Sequence, residues 1–228
     1  MKIIITLLAM LMVYTSANAA LNNNGDGTIT QTRTDGSFLM WLQDANTAYT
    51  TGYSAIDEFG RMTWDNAMIW IDDLNSSSYL GYDDWRLPTT LQPDPSCSIQ
   101  WNNESLGFDC SGGEMGYLYY TELGHTAGGP LTNTGDFENF LKTFEDLQGN
   151  QYWTGMEFTS NPDAAWHFNF YDGNQNGNLK GSYNYAWAVR TVVPEPISSL
   201  LFVAGGTLLA GRRYMKKRKK HTNFMKKI

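Results

Sequence analysis

Cys97 and Cys110 are the only two cysteines of the 228-residue chain, and both fall in one polar stretch. In an exported protein an even count makes a disulfide the first expectation, closing a loop of about 14 residues and contributing about 3 kcal/mol in the chain-entropy picture. A thiol nucleophile or half of a metal site is the alternative, and neither cysteine has a histidine nearby in sequence. His125, His167 and His221 stand far apart, without zinc-ligand spacing. No Gly-x-Ser-x-Gly elbow is present to expose a serine nucleophile. The acidic pairs Asp72/Asp73 and Asp83/Asp84 are adjacent, so each pair diverges from any single site and reads as solvated surface charge. These patterns predict a protein that is not an enzyme.

Two segments place oxygen side chains at alternate positions before a glycine, as calcium loops do: Asn22 to Gly27, centred on Asp26, and Asp172 to Asn178. The twelfth position, where a bidentate acid belongs, is Arg33 in the first and Tyr183 in the second. Turn chemistry accounts for both equally well, so calcium is a candidate cofactor only at Asp26 and Asp172, and no other cofactor is expected. Arg86 beside Trp85 could stack on or bind a sugar or sulfate. The competing expectation buries Trp85 and Leu87, pairs Arg86 with Asp83 or Asp84, and uses Pro88 to fix the chain's exit. Trp41, Trp64, Trp70, Trp153, Trp166 and Trp187 fall on apolar faces and are expected in the core. Trp101, Tyr117, Tyr119, Tyr120 and Tyr171 are expected as exposed aromatic platforms, with Asn174 and Asn176 beside them as polar ligand contacts.

These residues need elements to hold them. Residues 27–34 alternate like a strand, Asp35-Gly36 supplies a hairpin turn, and 38–42 form the second strand. From Thr63, an N-cap residue, Trp64, Ala67, Met68, Ile71 and Leu74 recur at spacings of three and four, which predicts a helix. A second helix is expected over 114–123, stopped by Gly124. Residues 165–171 read as a strand with Trp166, Phe168 and Phe170 on one face and His167 and Asn169 on the other. Tyr185, Trp187 and Val189 alternate in a further strand, and the Asn/Gly-rich 172–178 is expected to be the loop between the two. No period of 20–50 residues recurs and no heptad pattern is present, so neither a solenoid nor a coiled coil is expected.

Charge separates the chain into parts. Residues 21–193 carry six basic side chains against twenty-two acidic ones, a net of −16, whereas Arg212 to Lys227 holds nine basic residues and no acid. A composition of 42% hydrophobic and 14% aromatic residues excludes a disordered chain. Lys2, the apolar run 3–13 and the small residues Ala17 and Ala19 have the form of a secretory signal cut after Ala19, so residues 1–19 are expected to be removed. At the other end Pro194-Glu195-Pro196, an apolar run over 197–211 and a basic cluster opening with Arg212-Arg213 follow one another, the order of a stop-transfer tail. The fifteen-residue run is short for a bilayer core of about 30 Å. Basic residues placed directly after an apolar span, on a body of opposite sign, do not predict a nucleic-acid partner.

The tripartite ending resembles the PEP-CTERM sorting signal of Gram-negative bacteria that make exopolysaccharide. The resemblance implies recognition of Pro194, Glu195, Pro196, Arg212 and Arg213 by an exosortase, transient membrane anchoring, and cleavage near the proline box with delivery to the cell surface or matrix. An anchor that is never cut is the alternative.

Across the body, Thr28-Ile29, Asp35-Gly36, Met40-Trp41-Leu42-Gln43-Asp44, Thr63-Trp64-Asp65-Asn66-Ala67, Leu74-Asn75, Gly81 to Thr89, Tyr152-Trp153-Thr154-Gly155, Ala165-Trp166-His167-Phe168 and Ala188-Val189-Arg190 occur in order. This series resembles the Lcl C-terminal domain family, over nearly all of residues 25–192, with Trp85-Arg86-Leu87-Pro88-Thr89 its most specific piece. The resemblance implies an α+β, C-type lectin-like compact domain over 20–192, with paired terminal strands, two helices and long loops, followed by the sorting signal over 193–228. Together with the export and sorting segments and the missing catalytic spacing, it leads to the expectation of a surface or matrix module that binds exopolysaccharide or cell-surface glycan through loops 89–113 and 172–184. A purely structural matrix component, and less so a polysaccharide-acting enzyme, are the alternatives.

Overall fold

The computed structural model describes residues 20–129 and 143–193. The described residues open with three antiparallel strands, β1 (Ala20–Asn23), β2 (Thr28–Thr32) and β3 (Phe38–Leu42). Asp35 forms the turn between β2 and β3 by accepting from the Ser37 amide, and the last strand, β9 (Val189–Val192), pairs with β3 to complete a sheet ordered β1-β2-β3-β9. The predicted hairpin is therefore present, with β1 as an added strand. Ala20, Thr32, Phe38 and Val192 stand in one row across this sheet, so the first and last strands bring both ends of the domain to the same sheet end, about 14 Å apart at three strand spacings.

A short helix, α1 (Thr47–Thr50), precedes α2 (Trp64–Ser76). Thr63 caps α2 as its sequence position predicts, its hydroxyl accepting from the Asn66 amide. Ala67, Trp70, Ile71 and Leu74 are buried, with Trp64 and Met68 packed at the margin. The second helix differs from expectation in form: α3 (Glu114–Tyr117) passes directly into a π-helical turn, Leu118–Glu122, and Gly124 at φ +62° ends the segment.

The remaining strands form a hairpin, β4 (Ile99–Trp101) with β5 (Glu104–Leu106), and a three-stranded sheet, β6 (Gln151–Glu157), β7 (Ala164–Asn169) and β8 (Gln175–Leu179). Here two expectations are corrected. The Asn/Gly-rich stretch does not simply connect two strands, because its second half is β8, paired antiparallel with β7. Residues 185–188 do not pair with β7 either; Tyr185 bridges Tyr152 and the chain then leaves for the first sheet as β9. The alternation in β7 also fails to give a wet face, since Ala164 to Phe168 are all buried, His167 included. An aromatic core fills the domain, with Trp41, Trp153, Trp166, Trp187, Tyr119, Tyr152, Phe144, Phe168 and Phe170 fully inside. Most of its indoles find an acceptor: Trp41 Nε1 donates to Gln31 Oε1, Trp153 to the Met62 carbonyl and Trp187 to the Leu42 carbonyl.

Candidate functional site

The Trp85–Thr89 box is a clamp. Trp85 and Leu87 are buried, and Asn75 from α2 grips the Trp85 backbone from both sides, accepting from its amide at 2.7 Å and donating to its carbonyl at 2.9 Å. The expected pairing of Arg86 with Asp83 or Asp84 is not what forms. Arg86 donates through both terminal nitrogens to the Glu114 carboxylate, each at 2.7 Å, and Glu114 also accepts from the Thr89 amide. Asp84 pairs instead with Arg190 of β9. Glu114 lies at the start of α3, so the fork ties the box to the second helix, while paired backbone bonds between Arg86 and Val189 tie it to β9.

Cys97 and Cys110 form a disulfide, across 13 positions of sequence. The loop around it is folded, with a buried polar network. Asp94 is buried and accepts from the Ser96 amide and hydroxyl and from the Gly112 amide. Ser105 exchanges backbone bonds with the Gln92 side chain and receives a further bond from Gln175 of β8. Glu104, also buried, accepts from the Ser160 amide and hydroxyl in the β6–β7 turn. Buried carboxylates satisfied in this way shape loops.

The expected aromatic platform is dispersed. Tyr117 is only 7% exposed, with its hydroxyl on Thr34 and the Arg33 guanidinium over its ring, and Tyr119 is fully buried. Tyr120 is half-buried, its hydroxyl accepting from the Asp109 amide and donating to the Gly173 carbonyl. Burial pushes both the Tyr119 and Tyr120 hydroxyls up to about 12. Trp101 and Tyr171 are exposed as expected, at 53% and 55%. No ring contact joins them among the described residues: Trp101 ends β4 in a hairpin held to the β6–β7 turn through Glu104 and, just past β5, to Gln175 through Gly107, whereas Tyr171 and Asn174 belong to the β7–β8 turn. Asn176 sits within β8, opposite His167.

At the two calcium candidates the carboxylates make turns: Asp26 accepts from the Thr28 amide and hydroxyl, and Asp172 from the Asn174 amide. Among the described residues no group of three or more His, Cys, Asp or Glu is placed to hold a metal ion. His167 is 5% exposed, and burial holds its imidazole down at about 4, so it is neutral at ordinary pH. Burial also lowers His125.

A shallow cleft of about 660 Å³ opens where three elements meet, and sequence reading did not anticipate it. Asp65 comes from the first turn of α2, Asp163 from the β6–β7 turn, Leu179 from the end of β8, and Lys180, Gly181 and Ser182 from the turn that follows. Backbone bonds fix the walls: the Trp64 amide donates to the Lys180 carbonyl and the Lys180 amide to the Asp163 carbonyl, both at 2.9 Å. The Lys180 ammonium is engaged by Glu157 and lies 4.6 Å from the centre of the Trp64 ring. The available sequence signal was Lys180 itself, one of very few cations in an acidic body, followed by a Gly-Ser turn.

Fold and site together define a disulfide-closed α+β domain whose most specific sequence box is an internal clamp. The family model for the Lcl C-terminal domain matches residues 27–190, and the chain belongs to that family. No curated protein matches the chain. The segment 1–19, the sorting residues Pro194, Glu195, Pro196, Arg212 and Arg213, and the apolar run 197–211 lie outside the described residues. Among the described residues no helix is long and apolar enough to cross a membrane.

Proposed function

We propose that the chain is an exported surface or matrix protein whose body is a non-catalytic, C-type lectin-like module for exopolysaccharide or cell-surface glycan. Its export signal is residues 1–19, and its PEP-CTERM-like tail is the substrate of an exosortase. The observation that carries the binding reading is the end of the domain formed by the β6–β7 turn and the close of β8. There the cleft, exposed Leu179 and Tyr183, and the hairpin bearing Trp101 are held on rigid strands. A concave, partly apolar surface with a few fixed polar groups is what sugar recognition requires. The forked Arg86–Glu114 pair and the buried Asp94 and Glu104 support the non-catalytic part, because these acids are committed to internal hydrogen bonds.

The test has two arms. Full-length chain is passed over a glycan array and over the producer's own polysaccharide, and retention weakened by Leu179→Ala or Trp101→Ala is expected. Folded protein retained on no glycan would leave a structural matrix role as the better account. Mass spectrometry of protein recovered from culture reads both termini, and an intact residue 1 or residue 228 would count against the corresponding processing step.

A further inference from the structure

The cleft carries a statement about ligand charge that rests on the binding reading above. Among the described residues the basic side chains are already engaged. Arg61 pairs with Asp57, Arg86 with Glu114, Lys180 with Glu157 and Arg190 with Asp84, while Arg33 lies over the Tyr117 ring and donates to the Gly112 carbonyl. A sulfated or uronic-acid chain would meet no open cation there, and residues 21–193, at a net −16, would repel it. The cleft has the opposite character. The carboxylates of Asp65 and Asp163 are exposed at its rim and make no hydrogen bond or ion pair with any described residue, although backbone bonds from Trp64 to Lys180 and from Lys180 to Asp163 fix the chain around them. Leu179 and the methylene stem of Lys180 supply apolar surface beside them, and Gly181 has nothing within 4 Å of where a Cβ would stand, which leaves the mouth open.

We infer that this cleft takes an amine-bearing pyranose, its ammonium on Asp163 and Asp65 and its ring face against Leu179 and the Lys180 stem, presented by a polycationic polysaccharide. The ammonium gains charge-assisted hydrogen bonds to two unpartnered carboxylates. Lys180 does not oppose it, because Glu157 neutralises that charge and the Trp64 ring holds it in place. The acidic body raises the local concentration of a polycation, so association is fast and salt-sensitive.

The experiment titrates full-length chain in detergent micelles with three hexasaccharides: β-1,4-linked glucosamine, its fully N-acetylated counterpart, and a neutral β-1,4-glucan. The glucosamine hexamer is expected to bind at least tenfold tighter than the other two and to lose most of that advantage at high salt. Asp163→Asn and Asp65→Asn should each weaken it about tenfold. Asp72→Asn, an exposed carboxylate about two turns along α2 from Asp65, should change it less than twofold. Equal affinity for the amine and acetylated hexamers, or an equal loss in Asp72→Asn and Asp163→Asn, overturns the inference. Binding of the neutral or acetylated hexamer with none of the amine form overturns it while leaving the glycan-binding reading intact; binding of none of the three, followed by an empty glycan array, removes both.

Discussion

Glu114 shows how much one side chain carries. It is 7% exposed, takes both arms of the Arg86 guanidinium and the Thr89 amide, and so joins α3 to the Trp85–Thr89 box. Replacing one member of such a pair leaves the other without its partner, and Arg86 is partly solvated, which softens the loss. Glu114→Gln is expected to lower stability by about 2 kcal/mol, seen as a lower urea midpoint at unchanged slope, and Arg86→Met in the same chain should restore part of it. His167 gives a pH signature. Its folded value is about 4 against 6.5 for an ordinary histidine, so as pH falls the unfolded chain takes up its proton first. The stability His167 permits is therefore complete above pH 6.5, declines through the window down to pH 4, and amounts to about 3 kcal/mol in all. Urea midpoints from pH 7 to 4 should fall more steeply in the native chain than in His167→Gln; parallel curves would refute the assignment. His167's burial was not legible from sequence, because a polar residue on an alternating strand reads as solvent-facing unless the layer beyond it is known.

At the scale of elements, α3 lies flush against the disulfide loop. A Cβ on Gly116 would run into the Cys110 carbonyl, a backbone atom that cannot rotate away. Gly116→Ala is expected to cost about 3 kcal/mol through overpacking, with a correspondingly lower melting temperature and little change in far-ultraviolet circular dichroism. Wild-type stability in that variant would mean the helix is free to shift. The strand β8 has a comparable cause. Asn and Gly are poor strand formers, so the segment reads as a loop, but Gly177 sits where a side chain would strike the Phe158 ring. That ring packs tilted against Trp166 of β7, with centroids 4.4 Å apart, and Trp166 is the residue paired with Gly177. The missing side chain makes room for the Phe158 ring brought in from the β6–β7 turn, and no local propensity encodes that requirement.

For the whole molecule, the disulfide and the sheet closure set stability. The Cys97–Cys110 loop contacts the start of β8 through Gln175 and the β6–β7 turn through Glu104, so freeing it loosens both ends of the three-stranded sheet, including the turn beside the cleft. Replacing both cysteines by serine is expected to lower stability by about 3 kcal/mol, measured by thermal melting, and reductant should shift the native chain by a similar amount but not the variant. An unmoved melting temperature in both would show that the internal hydrogen bonds alone hold the loop.

The amino-acid order by itself determined the β2–β3 hairpin, the capped helix α2, the glycine stop at Gly124, the aromatic core and the family box, because each is written in short-range sterics or in a period of two or near four. Tertiary structure alone decided that Arg86 reaches Glu114 and not its neighbours Asp83 and Asp84, and that Tyr117 and Tyr119 turn inward. It also decided that β9 returns to β3 from about 150 positions away, and that Asp65, Asp163 and Lys180 border one cleft. Those outcomes depend on which distant surfaces exclude water together, and a partner chosen by packing leaves no trace in the spacing of the residues beside it.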